Sequence, residues 1–219
     1  MSYQYLVNHI PKETQCDRRP GLRMEPTTIT IHNTGNPKST AQNERDWLTN
    51  PNNLRQASYH IVVDEHKAIE CLPLNEAAWH AGDGNGNGNM RSIGVEICES
   101  GNYSQTLLNA SQLVAKLLYE RGWGVDRLRR HYDWSRKICP RLMYNSGKWT
   151  GWEEFKQMVS KQLASLSQDK QVDIYVAGKY IGKGEIKNGV TNGSVRTISE
   201  ALGAKVTYDP KANRVDIQK

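Results

Sequence analysis

The chain has 219 residues, of which 37% are hydrophobic and 24% charged, enough apolar material for a packed core and too much for a disordered chain. No uninterrupted apolar run reaches the ~18 residues that a membrane span needs, so no membrane insertion is expected. A surplus of 29 Lys and Arg over 23 Asp and Glu gives a net charge of +6, which favours polyanionic surroundings without choosing between nucleic acid and an anionic bacterial wall.

The first ten residues lack the basic start and apolar stretch of a secretory signal, which predicts a soluble protein not exported by that route. Residues 27–32 (Thr-Thr-Ile-Thr-Ile-His) are β-branched and predict a strand ending at His32. Residues 40–48 read as a helix ended before Pro51. Residues 59–64 and 68–72 predict a hairpin around 65–67, and residues 93–98 another apolar strand. Between them, residues 82–89 (Gly-Asp-Gly-Asn-Gly-Asn-Gly-Asn) lack the Lys-Ser/Thr of a phosphate loop and are read as a flexible rim to a cleft. Residues 103–121 predict a long amphipathic helix closed by Gly122, and Trp152, Phe155, Val159, Leu163 and Leu166 recur at helical spacing over 149–168. Strands with intervening helices predict an α/β layer fold, a mixed central sheet flanked by helices.

The texture changes near residue 169, which sets two domains, 1–168 and 169–219. In the second, Val172, Ile174 and Val176 alternate as in a strand, and two strands meet around Gly178. Ser194 can cap a short helix with Val195, Ile198 and Leu202 on one face, Gly203 ends it, and Val206 and Val215/Ile217 suggest two more strands. This small α+β domain carries nine Lys and Arg against five Asp and Glu over residues 170–219, and at fifty residues it is short for a free-standing core, so docking or dimerisation through it is open.

The four cysteines (Cys16, Cys71, Cys98, Cys139) form no CxxC pair and are too scattered for a disulfide framework. One of them lies near a histidine: His131 and Cys139 are eight residues apart in His-Tyr-Asp-Trp-Ser-Arg-Lys-Ile-Cys-Pro. With His32 at a strand tip, two imidazoles and one thiolate give zinc three protein ligands and leave one position open, the arrangement of a catalytic rather than a structural site.

Five separated segments carry a resemblance: Ile31-His32-Asn33-Thr34-Gly35, Ser58-Tyr59-His60, Trp79-His80-Ala81-Gly82, Gly94-Val95-Glu96, and His131 through Pro140. Their order resembles that of the type-2 N-acetylmuramoyl-L-alanine amidases, a family that includes phage endolysins and is related to the peptidoglycan recognition proteins. The resemblance spans roughly residues 25–160. It implies a zinc enzyme cutting the amide between N-acetylmuramic acid and L-alanine in peptidoglycan, with His32, His131 and Cys139 as metal ligands. It further implies Glu96 as general base, Lys137 as an oxyanion donor, and Tyr59 as a residue that holds the reacting carbonyl or assists the proton step. Trp79 and His80 would border the substrate cleft; His9, His60 and His66 receive no role. An endolysin would wait in the host cytoplasm and act at the cell wall after release. The second domain resembles the small module related to the N-terminal domain of copper amine oxidases, through Gly178-Lys179 and Ser-Glu-Ala-Leu-Gly-Ala at 199–204; with no His or Cys it holds no copper site, and its charge suits anionic wall polymers.

Three other readings remain. A non-catalytic peptidoglycan-binding module would lack the thiolate ligand and the base, and Cys139 and Glu96 speak against it. A cytosolic muropeptide-recycling amidase would usually carry Asp where Cys139 stands. Nucleic-acid binding has only the charge in its favour, since no nucleic-acid motif is present.

Overall fold

Six short strands form the central sheet of the computed structural model, which describes residues 3–167, 170–187 and 190–219. The strands are β1 (Gln4–Val7), β2 (Thr28–Asn33), β3 (Ile61–Val63), β4 (Lys67–Glu70), β5 (Ser92–Ile97) and β6 (Leu128–Arg130), in the spatial order β1-β4-β3-β5-β2-β6. All neighbours are parallel except the β3–β4 hairpin. Helices α1 (Ala41–Trp47), α2 (Asn87–Arg91), α3 (Tyr103–Glu120), α4 (His131–Ser135) and α5 (Thr150–Ser167) complete a unit spanning Met1–Leu166. The expected mixed sheet flanked by helices is therefore present. Strands β1 and β6 were not anticipated: both lie at sheet edges, and β6 (Leu-Arg-Arg) offers one apolar side chain, too little for an alternation signal.

Alternation along the central strands separates two faces. Ile29 and Ile31 of β2 and Ile93, Val95 and Ile97 of β5 pack with Leu113, Val114 and Leu118 of α3 and Trp152, Phe155 and Val159 of α5. Their neighbours Thr28, Thr30, His32, Gly94 and Glu96 take the opposite face. There Val62, Ile69, Leu72 and Cys98 form a second, smaller core with Ala41 and Leu48. On that face Thr30 Oγ1 lies 2.6 Å from Ser92 Oγ and accepts from Trp134 Nε1 at 2.8 Å.

Local chemistry sets the helix ends. Thr40 caps α1 in a reciprocal box with Asn43, and Asn102 Oδ1 accepts the Gln105 N–H at the start of α3. The 82–89 segment differs from the flexible rim expected. The Asp83 carboxylate accepts from the N–H groups of Gly88 (2.7 Å) and Asn89 (3.1 Å), and Asn89 Oδ1 accepts from those of His80 (2.8 Å) and Ala81 (2.7 Å). Glycine is required at 88, where a Cβ would lie 2.4 Å from that of Ala81. The low-complexity appearance conceals a closed hydrogen-bonded cradle.

The second unit, Ser167–Lys219, contains the expected strands and helix and one more strand. β7 (Lys170–Val176), β8 (Lys179–Lys187) and β9 (Val190–Asn192) form an antiparallel sheet, Ser194 caps α6 (Val195–Ala201), and β10 (Lys205–Asp209) pairs with β11 (Arg214–Gln218). Among its described residues only Val206 is buried. Gln168 and Asp169, next to the boundary expected from sequence, lie outside the described residues. No helix among the described residues is long and apolar enough to cross a membrane.

Arg18 is fully buried without a carboxylate partner among the described residues. Its guanidinium donates to the carbonyls of Leu48 (2.9 Å), Arg55 (3.0 Å) and Asn53, clamping the chain after α1. Replacing it with methionine leaves three carbonyls without their donor. Arg18→Met is expected to lower stability by about 3 kcal/mol, read as a lower urea midpoint at unchanged slope, whereas Arg23→Met at an exposed position leaves the midpoint in place.

Candidate metal centre

Three side chains converge at the carboxyl ends of neighbouring strands, the place where open α/β sheets build their sites. His32 is the penultimate residue of β2 and pairs in register with Glu96, the penultimate residue of β5. His131 opens α4 directly after β6, which runs parallel to β2. Cys139 follows α4 on a segment tied back to the sheet: its carbonyl accepts the Tyr132 N–H at 3.1 Å, and the Asn33 side chain accepts the Leu142 N–H at 3.0 Å. The Asn33 backbone N–H donates to Cys139 Sγ at 3.4 Å.

His32 Nδ1 lies 3.0 Å from His131 Nδ1 and 3.8 Å from Cys139 Sγ, and the ligand atoms of the three residues all fall within 4.8 Å of one another. Tetrahedral zinc with its usual bond lengths sets its nitrogens about 3.3 Å apart and nitrogen and sulfur about 3.6 Å apart. Two of the observed edges bracket those values, and two imidazoles with a sulfur suit a borderline-soft cation. The donor set therefore fits the metal that the sequence implies. All three residues are buried.

Glu96 stands beside this cluster, its Oε1 3.9 Å from His32 Nδ1. Its Oε2 is buried without a hydrogen-bond partner among the described residues. Lys137 lines the same cleft, of about 200 Å³, with Glu44, Trp47, Arg55 and Trp79. Tyr59 also lines it, and its hydroxyl donates to the Glu44 carbonyl at 2.8 Å, so its proton is committed within the protein. Trp79 contributes to the wall while its indole N–H donates to the Asp17 carbonyl at 2.7 Å. His80 is engaged at both ring nitrogens, Nδ1 with His32 Nε2 at 3.1 Å and Nε2 with the Ser92 carbonyl at 3.0 Å. His60 is likewise consumed internally, by the Glu76 carbonyl and the Gly94 N–H.

Sequence reasoning passed over Asn33, Glu44, Trp47 and Arg55. Asn33 had a signal, since it follows His32 within the first motif; the others lie in a helix and loop whose pattern carries no chemistry.

Burial governs the electrostatics. It pushes His131 down to about 4 and His80 to about 3, and holds His32 well below the ordinary histidine range, with the neighbouring imidazoles adding to the effect on His32. The Cys139 thiol is pushed up to about 12, by burial and then by Glu96. The Glu96 carboxyl is raised to about 8 by burial and by Glu44, with Lys137 opposing.

Residues 22–142 match the N-acetylmuramoyl-L-alanine amidase family. The chain belongs to that family. It is 42% identical over 180 residues to the N-acetylmuramoyl-L-alanine amidase XlyB of Bacillus subtilis strain 168, covering 78% of this chain and 55% of that protein. It is 47% identical over 148 residues to CwlA, an amidase of the same name and strain, covering 65% of this chain and 52% of the relative. The chain thus spans about half the length of these curated relatives. Among solved structures, the catalytic domain of XlyA superposes with a TM-score of 0.64 at 37% identity, covering 71% of this chain and 99% of that one. The amidase-family match ends three residues beyond Cys139, so it contains the whole donor cluster.

Neutral buried histidines make the amidase fold acid-sensitive. His60, His80 and His131 titrate at about 4, about 3 and about 4 in the folded chain, against 6.5 when unfolded. As pH falls below 6.5 the unfolded state binds more protons, so stability is full above 6.5 and declines towards 4, at up to about 1.4 kcal/mol per pH unit for each group. Urea midpoints of the metal-free protein at pH 7.5, 6.5 and 5 should be level over the first step and lower at the last. A midpoint unchanged at pH 5 would contradict the assignment of neutral rings.

Proposed function

We propose that the chain is a zinc-dependent N-acetylmuramoyl-L-alanine amidase of the endolysin type, hydrolysing the amide between N-acetylmuramic acid and L-alanine in peptidoglycan. It acts at the bacterial cell wall after release from the host cytoplasm. The observation that carries the reading is the convergence of His32, His131 and Cys139 within 4.8 Å, beside a buried carboxylate in a cleft. Membership of the amidase family supports it.

His32, His131 and Cys139 would hold the metal, which when bound would supply Lewis acidity for the scissile carbonyl and lower the pKa of water towards about 7. The remaining work falls to side chains. Glu96 Oε2, without a hydrogen-bond partner among the described residues, takes a proton from the attacking water and returns it to the alanyl nitrogen as the C–N bond breaks, so the amine leaves neutral. Burial suits Glu96 to both directions, because a carboxyl raised to about 8 keeps a proton more readily than an ordinary one and still surrenders it near neutrality. The Lys137 ammonium donates to the carbonyl oxygen as negative charge develops there. Trp47 and Trp79 line the cleft and offer it an apolar wall. A binding-only module would need neither the thiol of Cys139 nor the carboxylate of Glu96.

The second unit has the composition of a wall anchor, with nine basic against five acidic residues over 170–219. We infer that it binds anionic wall polymers and raises the local concentration of the catalytic unit on its substrate.

Purified protein should hold about one zinc, and wall lysis should stop under a strong chelator and return with zinc; full activity after verified metal removal overturns the reading. Cys139→Ser should lose metal. Glu96→Gln should keep zinc and lose roughly 10²–10⁴-fold in turnover, Lys137→Ala about 10²–10³-fold, whereas Tyr59→Phe should stay within about threefold because its hydroxyl is spent on Glu44.

The anchor is tested by pelleting with purified walls across a salt series, comparing the full chain with one ending at Leu166. The full chain should pellet better at low salt and lose that advantage as salt rises. Equal pelleting at low salt removes the wall-binding role and leaves dimerisation or stabilisation for the second unit.

A further inference from the structure

The carbonyl oxygen of Ser92 can only accept a hydrogen bond, and His80 Nε2 lies 3.0 Å from it. The single proton of the neutral His80 ring therefore sits on Nε2, and its Nδ1 is bare. That Nδ1 is 3.1 Å from His32 Nε2, so His32 must be the donor there. Its own proton is thereby placed on Nε2, and His32 Nδ1 is left as a lone pair. This is the atom that faces His131 Nδ1 at 3.0 Å and Cys139 Sγ at 3.8 Å.

His131 closes on the same point: its Nδ1 faces His32 Nδ1 at 3.0 Å, and its Nε2 lies beside Gly82.

The His80 ring is held in place from two directions. On the sheet side it lies against Gly94, where an added Cβ would come within 2.7 Å of His80 Cγ and 3.0 Å of Nδ1, so only glycine admits the ring. On the other side Asn89 Oδ1 accepts the His80 backbone N–H at 2.8 Å.

We propose that His80 is a positioning residue: anchored on the Ser92 carbonyl, it forms a one-way hydrogen-bond relay that fixes the orientation and tautomer of His32 and presents His32 Nδ1 to the metal. The relay acts through His32. Its consequence for metal affinity rests on the zinc reading above, whereas its consequence for proton positions does not.

Proton positions are read directly by long-range ¹H–¹⁵N NMR of the ¹⁵N-histidine-labelled wild-type protein, metal-free and zinc-loaded, with no substitution needed. His80 and His32 should both carry their proton on Nε2 in both samples. A proton on Nδ1 of either ring overturns the relay. Zinc affinity, measured by competition with a chromogenic chelator, supplies the second readout. His80→Phe fills the space without an acceptor and should weaken zinc binding about 10–100-fold. His80→Asn, whose Oδ1 takes the place of Nδ1, should recover most of that loss, a rescue that a purely space-filling role would not give. A folded His80→Phe protein that binds zinc as tightly as wild type overturns the proposal. A wild-type protein that binds no zinc overturns the amidase reading instead, and the spectrum still decides the relay.

Discussion

The parallel pairing of β2 with β5 in a single register is the constraint from which the site follows. With His32 opposite Glu96 and Thr30 opposite Gly94, one face of the strand pair is isoleucine and valine and the other is chemistry. A slip of one residue would turn His32 into the apolar core and Ile31 into the cleft. The apolar face guards against that slip, because it buries Ile29, Ile31, Ile93, Val95 and Ile97 against α3 and α5. Buried polar groups on the other face reinforce it, since Thr30, Ser92 and Trp134 meet their partners only in this alignment. Folding energy and the geometry of the donor cluster are thus set by the same pairing.

Burial then decides the protonation of everything that pairing brings together. In a dry pocket, imidazoles lose their protons and thiols and carboxyls keep theirs. His32, His80 and His131 are accordingly neutral, as metal ligation requires, while Cys139 and Glu96 are held in their uncharged forms. A divalent cation reverses the second half of that balance, since a coordinating thiol is deprotonated outright. The Asn33 N–H directed at Cys139 Sγ favours the anion that results.

Much of this was legible in the sequence because it is local or periodic. The β-branched run at 27–32 announced β2, and the apolar spacing in 103–121 announced α3. The donor residues were legible as types at a suggestive spacing, His131 eight residues before Cys139 with His32 at a strand tip. What stayed hidden was carried by backbone carbonyls and by glycine. No residue type marks the Ser92 carbonyl as a partner for the His80 ring, and Gly94 reads as a weak strand residue until the His80 ring is seen against it. Residues 82–89 misled for a related reason: composition suggested flexibility, whereas Asp83 and Asn89 close the segment through main-chain N–H groups that any sequence possesses.

The cleft wall is built on a different principle from its floor. The donors sit at strand ends, where the sheet fixes them, while much of the wall comes from the chain after α1, which has no regular structure of its own through residue 59. That segment is secured by Arg18, whose guanidinium takes the carbonyls of Leu48, Asn53 and Arg55 and leaves their side chains uncommitted to the clamp. Arg55 and Ala57 can therefore change in size or charge without touching the clamp, whereas Asn53 is buried and its side chain donates to the Trp47 carbonyl and accepts the Arg55 N–H. The wall and the donors below it are thus held by separate hydrogen bonds, so the wall can vary while the donors stay in place.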